Sequence, residues 1–299
     1  MNYVLHLLVY VCIYSTATLG LNFILGSCGR LSLAHGAYFA VGCYSYALGR
    51  VVLGLDFAVS VGFAAIVAAG LSVPLAVMGR RYRGDFFVLM SLAVQVLVLS
   101  AITCWFKPGA ALGSWSNLTN GPFGIAGVSG PEIAGWRAQT PAQAIALFLP
   151  CLLIVGVLSF VWLRSPWGRT LRALRDDELA ARGLGKPMGR FLTQAFALGC
   201  GFAGIGGALY AAYAGYIDPS VASLDQGVIL VSMLVVGGSG NIRGPIVGAL
   251  IFLLLPEVLR AVPMAETVAA SARAFIFGIL LILVVHLRPH GLAGVYRVE

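Results

Sequence analysis

Long stretches of this chain carry no charged side chain. Residues 3–25, 86–106, 138–163 and 191–217 contain no Asp, Glu, Lys or Arg. About 20 apolar residues are what a helix needs to cross the hydrocarbon core of a bilayer. The apolar positions run on without alternating. That excludes the pattern of a membrane β-barrel and leaves helices, whose backbone groups pair internally. The pattern therefore predicts an all-α polytopic membrane protein. Spans are expected at 3–25, 31–54, 57–78, 86–106, 141–163, 191–213, 226–238, 244–262 and 272–288, about nine crossings within a range of roughly eight to ten. The seventh is too short for a straight crossing and reads as broken or re-entrant. No connection is long enough to fold alone, so 1–299 reads as one transmembrane domain.

Charge sharpens this picture. Only 10% of residues are charged and 60% are hydrophobic, with a mean hydropathy of +0.94. Ten of the thirty charged residues lie in the single window 164–190. The net charge of +8 is explained more simply by membrane topology than by nucleic acid, because Lys and Arg gather on the cytoplasmic side. With 164–190 cytoplasmic, alternation places Arg30, the cluster Arg80, Arg81 and Arg83, Arg243 and the C-terminal tail on the same side. That side holds 14 of the 19 Lys and Arg. Arg50, Lys107, Arg137, Arg260 and Arg273 fall opposite. The N-terminus is then outside and the C-terminus inside. The first residues lack the basic start of a cleavable signal. The longest outward loop, 107–140, is rich in Gly, Pro and Asn and reads as turns, with Trp115 and Trp136 suited to the headgroup level.

The charged window has helix punctuation. Ser165 is a capping residue followed by Pro166, and Gly183, Gly185 and Pro187 close the pattern. A helix over 166–182 is expected. It would carry i,i+4 pairs Arg172–Asp176 and Glu178–Arg182 and a sparse apolar set of Leu171, Leu174, Ala181 and Leu184. On composition alone it could equally be a solvated loop that sets topology.

Polar residues inside apolar spans are the second candidate class: Asn22, Ser32, His35, Gln95 and Thr193. Unpaired, each costs free energy in lipid, so each faces another helix or a watery path. Pairing within the bundle is the first reading for any one of them; a path lining is more credible for Ser32 and His35, three apart on one helical face, than for the rest. Segments 29–49 and 199–215 echo each other in Gly, Ala, Ser and Tyr. Such small residues allow close helix packing, and one such span in each half fits a repeat, although Gly and Ala are common in membrane helices generally.

Catalytic and metal chemistry find little support. The glycine-dense 237–245 lacks the Lys-Ser/Thr of a phosphate-binding P-loop, and no such loop occurs elsewhere. A sharp turn between two helices is the better reading. There is no HExxH or GxSxG motif. The six cysteines, at 12, 28, 43, 104, 151 and 200, show no ligand spacing, and the histidines at 6, 35, 286 and 290 are dispersed. Neither catalytic nor metal residues are expected.

Five segments, in order, match a known family. Residues 29–42 read GRLSLAHGAYFAVG, 118–125 LTNGPFGI, 172–185 RALRDDELAARGLG, 237–245 GGSGNIRGP and 288–292 RPHGL. They resemble the signatures of the LivM-type permease subunit of bacterial branched-chain amino-acid ABC importers. The departures are small: Ala34 and Asn120 stand where glycine is usual. The resemblance implies a subunit of the bacterial inner membrane without its own ATPase site. A second related permease subunit would share the path. Two cytoplasmic ATPase subunits would bind ATP and Mg, and a periplasmic binding protein would deliver the solute. It implies that 166–182 is the coupling helix docking on the ATPase, with Arg172, Arg175, Asp176, Asp177, Glu178, Ala181, Gly183 and Gly185 as its coupling residues. Ser32, His35 and Tyr38 would lie near the path. Branched-chain or other hydrophobic amino acids are the implied solutes; urea, short amides and aromatic acids are imported by related permeases. A stand-alone secondary transporter or channel is the rival of another class. It would want intramembrane carboxylates, and the spans hold only Glu257, near an end.

Overall fold

The structure, a computed structural model, describes residues 2–133, 135–183, 185–260, 275–276, 278–279 and 291–294. Most of the span expected at 272–288, with Arg273, Leu184, His286, His290 and most of the C-terminal tail, lies outside them. α1 (Asn2–Asn22) runs into a π-helical turn, Phe23–Ser27. α2 (His35–Val51), α3 (Phe57–Arg81) and α4 (Asp85–Cys104) follow. After a long connection come α5 (Pro141–Arg164), α6 (Pro166–Asp176), α7 (Glu178–Gly183), α8 (Met188–Ala214), α9 (Leu224–Gly237) and α10 (Arg243–Arg260). Five stretches are long and apolar enough to cross a membrane: Tyr3–Ser27, Phe57–Arg81, Asp85–Cys104, Pro141–Arg164 and Met188–Ala214. The chain is thus a helical polytopic membrane protein. α9 is a 14-residue helix, only about 21 Å long, as its short apolar run requires.

Local sequence explains the boundaries. Thr140 and Gln143 form a reciprocal capping box at the start of α5, with Pro141 in the first turn. Ser165 ends α5 and caps α6, accepting from the Gly168 amide at 3.4 Å. Ser165→Ala is expected to cost about 1 kcal/mol locally, read as faster hydrogen exchange across α6; unchanged exchange would remove the cap from the account. The glycine-dense 237–245 forms the α9–α10 turn, with Gly238 at φ +100° and Gly240 at +84°. The 107–140 connection is mostly turns. Within it β1 (Ile125–Ala126) pairs antiparallel with β4 (Tyr216–Ile217), and β2 (Glu132–Ile133) with β3 (Trp136–Arg137).

Two expectations are corrected. The helix expected over 166–182 is broken at Asp177, whose backbone is extended (φ −154°, ψ 103°). The Asp177 carboxylate accepts from the Leu179 and Ala180 amides at 2.8 and 3.0 Å, capping α7 in competition with a continuous helix. The Arg172–Asp176 pair does not form although both residues lie in α6, because each takes another partner: Arg172 donates to the Leu163 carbonyl and Asp176 pairs with Arg175 at 2.7 Å. The pair Glu178–Arg182 does form, at 2.5 Å. Second, Ser32 is not on the face of a helix with His35. The chain turns at Gly29 (φ +65°) and stays non-helical until His35, because the Leu33 amide donates to Ser91 Oγ at 2.9 Å and not to a helical carbonyl.

The core is a glycine seam. Of the five long stretches, those of α1 and α8 are the most enclosed, with 61% and 78% of their apolar windows buried against 22% for α4. The two segments that echo each other in sequence meet here: Gly42 of α2 lies on the Gly204 backbone, and Gly207 of α8 on the Phe39 carbonyl. Gly199 similarly faces Gly20, where a Cβ would sit 2.6 Å from the Gly20 oxygen. Where lipid is as apolar as the side chains, such close approach replaces the hydrophobic drive with dispersion contacts.

Candidate functional site

Every expected polar residue inside the spans has a place. Asn22 holds the α9–α10 turn, accepting from the Gly240 amide at 2.8 Å and donating to the Asn241 carbonyl at 3.2 Å. Gln95 accepts from the Ala37 amide at 2.6 Å and donates to the Ala222 and Ser223 carbonyls at 2.7 and 3.0 Å. It thus ties the first turn of α2 to the start of α9. Thr193 accepts from Arg80 at 2.6 Å. His35 Nε2 lies 3.0 Å from the Ala17 carbonyl of α1.

The three residues expected near a path share another property. Ser32, His35 and Tyr38 are fully buried, and Ser32 Oγ, His35 Nδ1 and the Tyr38 hydroxyl have no hydrogen-bond partner among the described residues. Buried polar atoms are nearly always paired; of the six buried side chains with an unpartnered polar atom among the described residues, three fall in this row at the foot of α2, the others being Ser15, Tyr44 and Arg50. His35 packs toward α1, while Tyr38 lies among Ala68, Leu75, Phe87, Phe196 and Cys200.

The charged window docks beside that foot. Leu171, Leu174 and Ala181 are buried as the sequence predicts, against Met188, Leu192 and Phe196 of α8. Trp167 Nε1 donates to Gln194 at 2.9 Å. Arg175 Nη1 donates to the Gly26 carbonyl in the π-turn at 2.9 Å. Glu178 is enclosed by three arginines: Arg30 at 3.1 Å, Arg83 at 2.7 Å and Arg182 at 2.5 Å. Burial pulls the Arg30 guanidinium below its ordinary value, and Glu178 opposes that shift. A cleft of 380 Å³ opens beside the cluster, between Gly84 and Asp177. Of the expected coupling residues, Asp176, Asp177 and Gly183 are exposed, with Gly185 in a left-handed turn (φ +73°). Glu178, Arg175 and Ala181 point into the protein. Leu179, absent from the sequence candidates, is 72% exposed.

Sequence reasoning also missed the roles of Arg30 and Arg83 as partners of Glu178, and no local signal marks a pair 148 residues apart. A further signal was available. Both short helices open on Ser-Leu-x-x-Gly, Ser32 to Gly36 and Ser223 to Gly227, and a Cβ at Gly36 would lie 2.6 Å from the Gly227 amide nitrogen.

A helical membrane bundle with polar atoms buried in its core and a charged amphipathic segment packed at one end has the features of a membrane permease. The comparisons agree. Residues 3–285 match the family described as branched-chain amino acid transport system / permease component, and the chain belongs to that family. It is 28% identical to the high-affinity branched-chain amino acid transport system permease protein LivM of Escherichia coli K12, over 95% of this chain and 68% of that one. It is 25% identical to LivH of the same strain, over 96% and 92%. The autoinducer 2 import system permease protein LsrC of Salmonella paratyphi B is 27% identical over 64% and 57%. No solved structure matches the chain.

Proposed function

We propose that this chain is the membrane subunit that forms part of the solute path of an ABC importer for branched-chain or other hydrophobic amino acids. A companion permease completes the path, a periplasmic binding protein delivers the solute, and two ATPase subunits bind ATP and Mg on the cytoplasmic side. In this reading the N-terminus is periplasmic, the C-terminus is cytoplasmic, the chain crosses the inner membrane about nine times, and α6–α7 is the coupling segment. The observation that carries it is that segment, in a chain of this permease family. One face is buried on α8 and the foot of α2; the other presents Asp176, Leu179, Ala180 and Gly183. Ser32, His35 and Tyr38, with their unpartnered polar atoms, are the proposed path residues.

The test uses the whole complex in proteoliposomes with labelled leucine. Leu179→Glu combined with Asp176→Lys alters the bare face and leaves the Asp177 cap and the Glu178 cluster intact. Solute-stimulated ATP hydrolysis is expected to fall roughly tenfold, the size of a lost interface contact of ordinary strength. Undiminished stimulation would remove α6–α7 from the ATPase interface. Uptake by this chain alone, without ATP, would replace the importer reading with a stand-alone transporter. The ligand that co-purifies with the cognate binding protein decides the solute.

A further inference from the structure

The acidic residues of a charged segment are the obvious candidates to meet a partner, yet Glu178 is turned away from any partner. Its side chain is 9% exposed and spends both oxygens on its own chain. Oε2 accepts from Arg30, whose side chain is 8% exposed. Oε1 accepts from Arg83 and Arg182. Arg30 also donates through Nη1 to the Tyr82 carbonyl at 3.2 Å. Glu178 therefore joins three separate pieces: α7, the non-helical stretch after Gly29, and the link between α3 and α4. Arg175 adds a parallel strut one turn away. It donates to Gly26 in the π-turn, and its stem covers Gly29, where a Cβ would lie 2.5 Å from Arg175 Cγ.

Burying a carboxylate this deeply costs several kcal/mol unless it is paired with good geometry. Three guanidinium partners meet that requirement. They also make the cluster intolerant of partial loss, because a missing carboxylate leaves the buried Arg30 facing Arg83 and Arg182 with no counter-charge. Such a junction holds one geometry and resists bending. Its position is specific: Arg30 lies two residues before Ser32 and five before His35, the row of unpartnered polar atoms at the foot of α2.

We propose that Glu178 is a positioning residue that transmits movement of the coupling segment to the foot of α2 through Arg30 and Arg83. It is not a docking residue for the ATPase. This rests on α6–α7 being the coupling segment, as argued under Proposed function.

The experiment measures solute uptake and ATP hydrolysis side by side in the assembled complex, after the unaltered complex has shown ATP-driven uptake; failure at that first step would refute the importer reading and not this one. For Glu178→Gln, the ATPase subunits are expected to stay bound and hydrolysis to continue. Uptake per ATP is expected to fall roughly tenfold, within the usual range of coupling between sites. Glu178→Asp, which keeps the charge, is expected to recover part of that ratio. Because Glu178→Gln removes a buried charge, Arg83→Gln provides a second variant at a half-exposed position; it is expected to lower uptake per ATP roughly threefold, the size of a modest change in coupling. An unchanged ratio in both glutamine variants would overturn the proposal. So would loss of the ATPase subunits from the Glu178→Gln complex with the permease still folded, since Glu178 would then be a docking residue.

Discussion

Gly207→Ala is expected to destabilise the protein by about 3 kcal/mol, the upper range of overpacking in a close-packed interior, and to lower its melting temperature in detergent by several degrees. The new Cβ would overlap the Phe39 carbonyl oxygen and lie 3.0 Å from the Cys43 amide nitrogen. Both are backbone atoms of α2, so no side chain can rotate away; the helices must separate. Separation would loosen α8, which packs at once on α1, α2 and α3. Gly156→Ala in α5 supplies the control. Nothing lies within 4 Å of a Cβ there, so the usual helix preference for alanine, about 1 kcal/mol, acts alone. Equal melting temperatures for the two variants would show that close backbone contact does not hold α2 to α8.

Gln95→Leu is expected to abolish uptake and to cost about 3 kcal/mol. The substitution preserves bulk but removes three hydrogen bonds in a buried site. An unsatisfied buried group costs about 1–3 kcal/mol, whereas a hydrogen bond between membrane helices is worth about 0.6 kcal/mol on average. The higher figures apply here because the Ala37 amide lies in the first turn of α2 and the Ala222 carbonyl at the end of the short helical turn Pro219–Ala222, positions that helices leave without internal partners. The larger consequence is positional: without Gln95, the first turn of α2 and the start of α9 lose their shared clamp. Uptake by the assembled complex and thermal melting test this together. Wild-type uptake in Gln95→Leu would show that the clamp is dispensable for transport.

Much of the fold is legible because membrane burial and helix punctuation are local signals. The charge-free runs give α1, α3, α4, α5 and α8. Ser165 with its following proline gives the start of α6, and the glycines of 237–245 give the turn before α10. The errors arise where a side chain competes with the helix ladder. Asp177 caps a new helix within an apparent single one, and Ser91 captures the amide of Leu33, delaying α2 to His35. Neither event alters apolar periodicity, so periodicity cannot report it. The candidate site divides along the same line. Ser32 and His35 stand out as polar residues in apolar surroundings, Tyr38 enters through the family resemblance, and Ser32 Oγ, His35 Nδ1 and the Tyr38 hydroxyl are left unpaired. The proposed coupling residues are legible as a segment but not as faces. Whether Glu178 looks outward or inward depends on Arg30 and Arg83, which only tertiary packing brings near.

The interruption at Asp177 gives the charged segment the mechanics of a bell crank. α6 continues from α5 through the single residue Ser165, while α7 is bolted by Glu178 to the stretch leading into α2. If α6–α7 is the coupling segment proposed above, one thrust at this pivot would have two outputs: rotation of the peripheral α5 and displacement of the central α2. A rigid 17-residue rod in the same place could tilt only as a whole, moving both helices in the same sense.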